Sequence, residues 1–379
     1  MASVVLRNDT TLRRYLRNFN WPLALSVTLI SLLGVLCVQS AGLHDPDAAG
    51  EYRRQIVYLV LGVPLMLGLS FVDYRAWARW APLLYVVNLV LLAFILRGGH
   101  AAFGAQRWIS LGPLGTFQPS EPAKLILAIA LAAVLCRGTY ERLADLWKPL
   151  LTVAIPALLI LKQPDLGTAL VLLAILSVQL FFALPRSGDF LIYAMGVLLA
   201  AAVAIGTNLL IKPFQKARLF SFLNPSADPQ GAGYNLDQAK IAVGNGDWFG
   251  RGLHHGTQTQ LNFVPFHSRD FVFTVLAEEL GFLGAVLLLA LYGAMLCGGI
   301  MTLFAARDRF GFLLAAGLVA MLFFHVLVNI GMTIGIMPIT GIPLPFMSYG
   351  GSAILTDFAA VGLLLNIYSQ RDRDVLGNA

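Results

Sequence analysis

Stretches of about 20 mostly apolar residues recur along almost the whole chain, and they constrain the fold more than any other feature. A helix of about 20 residues crosses the roughly 30 Å hydrocarbon layer of a bilayer. The composition agrees, since 58% of the 379 residues are hydrophobic and only 12% are charged. The sequence therefore predicts an all-α polytopic membrane protein with ten transmembrane helices. Their expected positions are 22–39, 56–73, 80–97, 122–136, 147–162, 166–185, 189–211, 271–304, 311–336 and 351–368.

The basic residues indicate the orientation of the spans, because short cytoplasmic loops retain Lys and Arg. With the N-terminus inside, fourteen of the 26 basic residues are cytoplasmic, six lie at outer positions and six lie within 212–270. We therefore expect cytoplasmic tails at 1–21 and 369–379, and a large extracellular loop at 212–270 between the seventh and eighth helices. The whole chain, 1–379, is interpreted as one membrane domain. The net charge of +6 is a topology signal and does not indicate nucleic-acid binding.

Cysteine and histidine lack the spacing of a disulfide framework or a metal site. Cys37, Cys136 and Cys297 each lie within an apolar span without paired spacing, so they are interpreted as packing residues. The six histidines match no metal-binding motif. No fixed metal ligands are therefore predicted.

Carboxylates interrupt the start of the eighth apolar span, in the sequence RDFVFTVLAEELGFLG at 269–284. Polar side chains at membrane depth cost about 2.5–3.5 kcal/mol each, so they indicate a wet cavity or an internal pair. Asp270, Thr274 and Glu278 are spaced i, i+4, i+8 and would share one helical stripe. Alternatively, Asp270 is a simple N-cap and Glu278 is packed in a salt bridge. Glu278 and Glu279 are interpreted as structural, because they lie two to three turns deeper than Asp270.

The sequence FQPSEPAKL, at 117–125, marks the outer start of the fourth span. Ser120 is expected to cap the helix, and Pro122 to lie in its first turn, where a missing N–H costs nothing. Glu121 and Lys124 are i, i+3 neighbours on one face. They form either an ordinary helix-end ion pair or part of an outward substrate cavity.

Proline and glycine crowd the segment MPITGIPLPFMSYGGSA, at 337–353, between the ninth and tenth spans. Such a segment cannot continue a helix, and irregular backbone near membrane depth lines a cavity or is buried in protein. Its end opens the tenth helix, whose N–H groups could bind an anion, and Gly350 is expected to need a positive φ. The residues expected to contribute are Ser348, Gly350, Gly351 and Ser352. A plain outer turn is the alternative, and it is the preferred interpretation of KQPDLG at 162–167.

Six segments, in chain order and over nearly the whole chain, resemble the SEDS family of bacterial wall polymerases. The form of the 337–353 segment and the short tails resemble elongation-type members more than division-type members. The resemblance implies a ten-helix peptidoglycan glycosyltransferase that polymerises lipid II on the outer face of the cytoplasmic membrane. The segments are GAQRWISLG, FQPSEPAKL, KQPDLGTAL, SFLNPSADPQGAGYNLDQAKIAVGNGDWFGRGL, RDFVFTVLAEELGFLG and MPITGIPLPFMSYGGSA.

The resemblance also implies roles for particular residues. The essential catalytic carboxylate of the family falls on Asp270, and the Glu and Lys of its fourth-helix motif fall on Glu121 and Lys124. Departures from the family pattern leave the role of the residues just before Asp270 open. Phe266, Ser268 and Arg269 replace an acid, a histidine and a threonine, and Thr116 stands where some members carry a basic residue.

The implied reaction joins an α-linked pyrophosphate sugar in a β-1,4 bond, so a single inverting displacement suffices. It needs a base for the attacking hydroxyl, for which Asp270 is suited, and positive charge or N–H groups for the leaving pyrophosphate. Candidates for the second role are Lys124, Arg107, Arg218 and the helix start at 348–352. A divalent cation, Mg²⁺ or Mn²⁺, could assist, and no organic cofactor is expected.

The resemblance implies partners as well: lipid II as substrate, a class B penicillin-binding protein as an activating transpeptidase, and other proteins of the elongation machinery. A flippase or transporter of lipid-linked precursors stays open as an alternative, because it would also need buried charges and broken helices. Its polar residues would not cluster at one face, as they do here. A structural scaffold and a division-type polymerase are the remaining alternatives.

Overall fold

The computed structural model describes residues 17–45, 48–98, 100–102, 105–110, 112, 116–140, 142–207, 213–224 and 231–371. Over these residues the chain is predominantly helical. In chain order the helices are α1 (Trp21–Ala41), α2 (Glu51–Phe71), α3 (Tyr74–Gly98), α4 (Ser120–Arg137), α5 (Trp147–Lys162), α6 (Leu166–Ala183), α7 (Ser187–Gly206), α8 (Pro213–Leu223), α9 (Ala232–Asn245), α10 (Thr257–Gln260), α11 (Val272–Ala305), α12 (Arg309–Thr333) and α13 (Gly351–Ser369). A 3₁₀ turn at Leu143–Leu146 precedes α5.

Eight helices of the described chain are long and apolar enough to cross a membrane, which confirms an all-α, multi-pass membrane protein. They are α1, α2, α3, α5, α6, α11, α12 and α13. The fourth and seventh predicted spans correspond to α4, which carries three charged residues, and to α7. The count of ten spans stays a prediction.

The helices differ strongly in burial, and this difference locates the core. In α12 and α13, 72% and 78% of the most apolar window is buried within the protein, against 22% in both α2 and α3. Helices that are apolar all round and buried belong at the centre of a bundle. The two helices that flank the Pro/Gly-rich segment are therefore central, and α2 and α3 present apolar surface outward.

A small antiparallel sheet lies between α3 and α4, where the sequence predicted no strand. Its strands are β1 (His100–Ala102), β2 (Ala105–Ser110) and β3 (Thr116–Phe117), in the order β1-β2-β3. The register pairs Ile109 with Phe117. Strand β2 carries Arg107, and β3 leads directly into the start of α4. The sheet therefore fixes where Arg107 stands relative to the fourth-helix motif.

A break interrupts α11 at Gly281, whose φ of 68° and ψ of −164° are not helical. Segment 247–252 replaces the hydrogen bonds that the break removes. Its N–H groups donate to the carbonyls of Glu278 and Glu279 at 3.0 Å each, and its carbonyls accept from the two residues after the glycine at 2.8 and 3.2 Å. A Cβ on Gly250 would lie 2.1 Å from the Glu279 carbonyl oxygen, so the approach requires glycine.

The two buried glutamates before the break hold neighbouring segments in place. The Glu278 carboxylate accepts hydrogen bonds from the backbone and side chains of residues 257–259, at 2.8 to 3.2 Å. Glu279 accepts from the Ser40 hydroxyl and, at 3.5 Å, from the Gln260 amide. A buried carboxylate that accepts several hydrogen bonds fixes the segments that donate them. These contacts agree with the structural interpretation of both residues.

Replacing Gly281 by alanine should destabilise the protein, because the new Cβ would lie 2.2 Å from the Gly250 nitrogen in a left-handed backbone conformation. Strain and overpacking together predict a loss of about 2–4 kcal/mol. The measurement is the apparent Tm of the purified protein in detergent.

Gly293 on the same helix supplies the matched control, since nothing lies within 4 Å of a Cβ built there. Gly293→Ala should leave the apparent Tm unchanged or slightly raised, because alanine favours a helix. Equal Tm values for the two variants would contradict the role given to the break.

Candidate active site

Asp270 lies just before α11, which begins at Val272 with Phe271 as its N-cap residue. The alternative that Asp270 caps the helix is therefore wrong. Its backbone carbonyl accepts a 2.8 Å hydrogen bond from the buried Asn329 amide, and the same amide donates to the Ile342 carbonyl at 2.8 Å. Asn329 thus fixes the backbone of Asp270 against the Pro/Gly-rich segment.

The Asp270 carboxylate lies directly against Gly341. A Cβ built on Gly341 would be 3.3 Å from the Asp270 Oδ2 atom, and the φ of 72° there already favours glycine. The side chain is half-buried, so it is screened from bulk solvent but reachable from one side. Gly341 therefore leaves room for the carboxylate beside the irregular segment.

Ser348 is buried and has partners within the protein on both sides. Its hydroxyl donates to the Arg269 carbonyl at 2.5 Å and accepts from the Leu344 N–H at 2.8 Å. In addition, the Tyr349 N–H donates to the Ser268 carbonyl at 2.9 Å. These bonds tie the Pro/Gly-rich segment to the residues before Asp270, which gives Ser348 a positioning role in this structure.

The start of α13 differs from the expectation for Gly350. Gly350 has a φ of 169°, which is extended backbone that any residue adopts. The expectation that this position needs the left-handed conformation of glycine is therefore wrong. Gly351 is needed for close packing instead, since a Cβ there would lie 2.6 Å from the Tyr58 ring. The Ser352 hydroxyl accepts a 3.0 Å hydrogen bond from the Gln118 N–H, which joins this helix start to the fourth-helix motif.

Two arginines predicted from the sequence, Arg107 and Arg218, line one small cavity together with Gln215 and Thr340. Arg107 is held in place by its Nε–H, which donates to the Gln163 carbonyl at 2.9 Å. Both guanidinium groups interact electrostatically with Asp270. The structure thus brings two cations to one cavity and places both within electrostatic reach of Asp270, from three separate parts of the sequence.

The charges around Asp270 act on its protonation in opposite directions. Burial raises the pKa of the Asp270 carboxyl above its ordinary value, and Arg218, then Arg269 and Arg107, counteract part of this rise. Burial likewise lowers the pKa of Arg218, and Asp270 opposes that change. A carboxylate with a raised pKa is a stronger base, which suits proton abstraction from a hydroxyl.

Glu121 and Lys124 form a buried ion pair with Nζ to Oε2 at 2.8 Å. Lys124 is only 2% exposed, so the pair is buried within the bundle. Its ammonium also donates to His325 Nε2 at 2.8 Å. His325 Nδ1 lies 2.6 Å from the Met321 carbonyl and donates to it, which leaves Nε2 as the acceptor for lysine.

The start of α4 holds two further differences from expectation. The helix begins at Ser120 with Pro119 as its N-cap, so the prediction that Ser120 caps it is wrong, whereas Pro122 lies in the first turn as predicted. The Ser120 hydroxyl instead donates to Asp165 at 3.4 Å. Asp165 also caps α6 by accepting from the Thr168 N–H at 3.1 Å. The KQPDLG segment therefore joins the starts of α4 and α6 through Asp165, in addition to forming a turn.

Comparison with known proteins places the chain in a family. The model of the FtsW, RodA and SpoVE family, described as "Cell cycle protein", matches residues 20–373. The chain belongs to the SEDS family. Among its relatives is the peptidoglycan glycosyltransferase MrdB of Escherichia coli K12, 38% identical over 92% of this chain and 94% of the relative.

Other members are similar to this SEDS protein at comparable coverage. The peptidoglycan glycosyltransferase RodA of Treponema pallidum is 33% identical over 94% of this chain and 99% of its own. Proteins named probable peptidoglycan glycosyltransferase FtsW also match. A solved chain from a peptidoglycan synthase complex, described as coordinating polymerization and crosslinking, has 35% identity and a TM-score of 0.81. That comparison covers 94% of this chain and 99% of the solved one.

Replacing Lys124 by methionine should leave the Glu121 carboxylate buried without its partner. Removing one member of a buried pair costs about 3–5 kcal/mol, so the apparent Tm should fall strongly. The double variant Glu121→Gln/Lys124→Met removes both charges and should recover most of the loss. Polymerisation per folded molecule is measured alongside the Tm.

The double variant decides what the pair contributes. Recovered stability with full activity would assign the pair to packing alone, whereas recovered stability without activity would assign it to the reaction. A single Lys124→Met variant with an unchanged Tm would contradict the buried pair itself.

Replacing Arg218 by glutamine should shift the pH dependence of activity. Arg218 lowers the pKa of Asp270, so its loss raises that pKa further. A base must be deprotonated, so the acid-side decline of kcat/KM should move to higher pH. Lys216→Gln, on the same helix, is the control and should not move it. An unshifted acid limb in the Arg218 variant would contradict the electrostatic coupling.

Proposed function

We propose that this chain is a peptidoglycan glycosyltransferase that polymerises lipid II into glycan strands, with Asp270 as the general base. Its relatives bear that activity in their names, at 33–38% identity over most of the chain. The observation that carries the assignment of Asp270 is its position beside a cavity lined by Arg107 and Arg218. A base beside two cations suits a reaction that deprotonates a hydroxyl and expels a pyrophosphate.

The chemical step is one inverting displacement. The 4-hydroxyl oxygen of the acceptor bonds to C1 of the donor sugar while the bond from C1 to the pyrophosphate oxygen breaks. The hydroxyl proton passes to the Asp270 carboxylate, and the bonding electron pair leaves with the lipid pyrophosphate. Arg107 and Arg218 stabilise the charge that develops on that group, because guanidinium groups bind phosphate oxygens in a bidentate manner.

The ion pair of Glu121 and Lys124 supports this site from within the bundle. His325, which binds Lys124, lies one helical turn from Asn329, which holds the Asp270 backbone. The start of α13, with Gly351 and Ser352, adds a helix N-terminus that favours a nearby anion. These residues position the site, whereas Arg107 and Arg218 bind the substrate.

Participation of a divalent cation in the reaction remains a proposal, and we assign no side chains as its ligands. Within the described residues, no group of three or more His, Cys, Asp and Glu side chains is arranged to hold a metal ion. We therefore assign no step of the reaction to a metal. No organic cofactor is needed for a displacement of this kind.

We further propose an elongation role in the bacterial cytoplasmic membrane, with both termini inside and Asp270 facing outward. The excess of basic residues at one set of helix ends supports this orientation. As activating partner we propose a class B penicillin-binding protein, together with other proteins of the elongation machinery. The similarity to a chain from a complex that couples polymerization and crosslinking supports that partner.

The Asp270→Asn variant tests the assigned base. Asparagine keeps the size of the side chain but cannot accept the proton, so turnover of labelled lipid II should fall at least about 100-fold. The apparent Tm should change little, since the Asn329 bond is to the backbone of residue 270. Glycan strands resolved on a gel report the reaction.

Asp247→Asn is the matched control, because Asp247 is an exposed acid outside this site with a φ of 48° that asparagine tolerates. It should polymerise at the wild-type rate. A folded Asp270→Asn protein that polymerised as well as the control would overturn the assignment. Purified protein that moved lipid II across a bilayer without making strands would favour a flippase instead.

Cysteine labelling in intact cells tests the orientation. Gly231 lies within the predicted outer loop, and Gly188 lies at the opposite end of α7 with nothing within 4 Å of an added Cβ. In a background lacking the exposed Cys297, Gly231→Cys should react with an impermeant maleimide and Gly188→Cys should react only after lysis. The reverse pattern would put Asp270 in the cytoplasm. The C-terminal tail, including Gly377, lies outside the described residues.

A further inference from the structure

A second group of cations lies at the start of α2 and does not line the Arg107 and Arg218 cavity. Arg269, the neighbour of Asp270, forms a 2.6 Å ion pair with Glu51 at the start of α2, and its side chain is 41% exposed. Its guanidinium also lies over the Tyr349 ring, 5.5 Å from the centroid. The Arg269 guanidinium therefore contacts α2 and the segment before α13.

Helix α2 completes this group one turn further along. The Arg54 side chain is exposed and interacts electrostatically with the Tyr349 hydroxyl. The adjacent Arg53 is exposed as well, with its Nε–H donating to the Tyr52 hydroxyl at 3.0 Å. Glu51 supplies one negative charge against three arginines. The group therefore carries a net positive charge and leaves guanidinium surface accessible.

The surface next to these arginines is apolar. On the following turns of α2, Val57, Val60 and Leu61 are 54%, 64% and 55% exposed. In a membrane protein such a helix face contacts lipid chains. A molecule with an anionic head and a long hydrocarbon tail could thus bind the arginines with its head and lie along α2 with its tail.

We propose that Arg54, Arg269 and Tyr349 form a second anion subsite, which binds the pyrophosphate of the acceptor lipid II. This proposal rests on the proposed function, because strand polymerisation brings two lipid-linked pyrophosphates to one base. The Arg107 and Arg218 cavity then takes the pyrophosphate of the donor.

The chemistry decides which substrate uses which subsite. The donor breaks its bond to pyrophosphate, so that group must lie next to the reacting atoms, and Arg218 is the cation with the largest electrostatic effect on Asp270. The acceptor attacks with a hydroxyl at the far end of its disaccharide and keeps its pyrophosphate. Arg54 is connected to Asp270 through Tyr349 and Arg269, so it suits a pyrophosphate that does not take part in the bond change.

The test is a single-coupling assay with purified protein in nanodiscs of zwitterionic lipid. The donor is labelled lipid II whose terminal 4-hydroxyl is inverted, so that it cannot accept. The acceptor is either lipid II or the same disaccharide without its lipid pyrophosphate, each at varied concentration. Arg54→Gln and Tyr349→Phe are compared with Arg97→Gln, an exposed arginine outside both groups.

We expect Arg54→Gln to raise the KM for acceptor lipid II about tenfold or more, as loss of a charge-assisted hydrogen bond implies. Its kcat should change less than about twofold, and its KM for the pyrophosphate-free acceptor should not change. Tyr349→Phe should have a smaller effect of the same kind. Arg97→Gln should behave as the wild type.

Three results would overturn the proposal. The first is an unchanged KM for acceptor lipid II in both the Arg54→Gln and Tyr349→Phe variants. The second is an equal loss with both acceptors, which would mean that Arg54 only supports the fold. The third is an effect that appears only after phosphatidylglycerol is added, which would assign the arginines to bulk anionic lipid. Failure of the proposed function itself is distinct, because the wild-type protein would then form no coupled product.

Discussion

The fold depends on satisfying backbone hydrogen bonds where helices are interrupted within an apolar bundle. An unsatisfied N–H or C=O group costs several kcal/mol in such surroundings. At Gly281 segment 247–252 supplies donors and acceptors to both sides of the break. At the Pro/Gly-rich segment the Asn329 amide and the Ser348 hydroxyl do the same. The second repair adjoins the short stretch that carries Asp270, because Asn329 and Ser348 also bond the carbonyls of Asp270 and Arg269. The carboxylate is therefore held by the bonds that make this irregular backbone possible.

The need to satisfy buried polar groups also explains which charged side chains remain available for catalysis. Glu278 is surrounded by donors from residues 257–259, and Lys124 is shared between Glu121 and His325. These groups are buried and already paired. Asp270 differs, because its side chain is half-buried and its cationic neighbours line a cavity or the surface. Within this site, the charges that stay accessible therefore lie around Asp270 at the start of α11, which suits catalysis there better than a path of charges through the bundle.

The sequence predicts a structural feature well when that feature depends only on residues close together in the chain. Runs of apolar residues predict spanning helices, and the acid before the eighth span stands out because it is costly there. The break at Gly281 could not be predicted, because a lone glycine in LGFLG is ordinary in a helix until segment 247–252 packs against it. His325 and Asn329 carry no signal either, since their partners lie 201 and 59 residues away. The cap role expected of Ser120 was wrong for the same reason, because its hydroxyl bonds Asp165, 45 residues away.

Two anion subsites that serve one base have a consequence for how a strand grows. After each transfer the strand is attached to the pyrophosphate that belonged to the acceptor, which under this arrangement lies at Arg54 and Tyr349. For the next transfer that pyrophosphate must act as the leaving group, so it must move to Arg107 and Arg218. Arg269, the member of the second group next to Asp270 in the sequence, pairs with Glu51 in this structure and can pair with a passing phosphate instead. A partly exposed cation with an exchangeable partner lowers the barrier to that movement, because the anion need not return to bulk lipid between subsites.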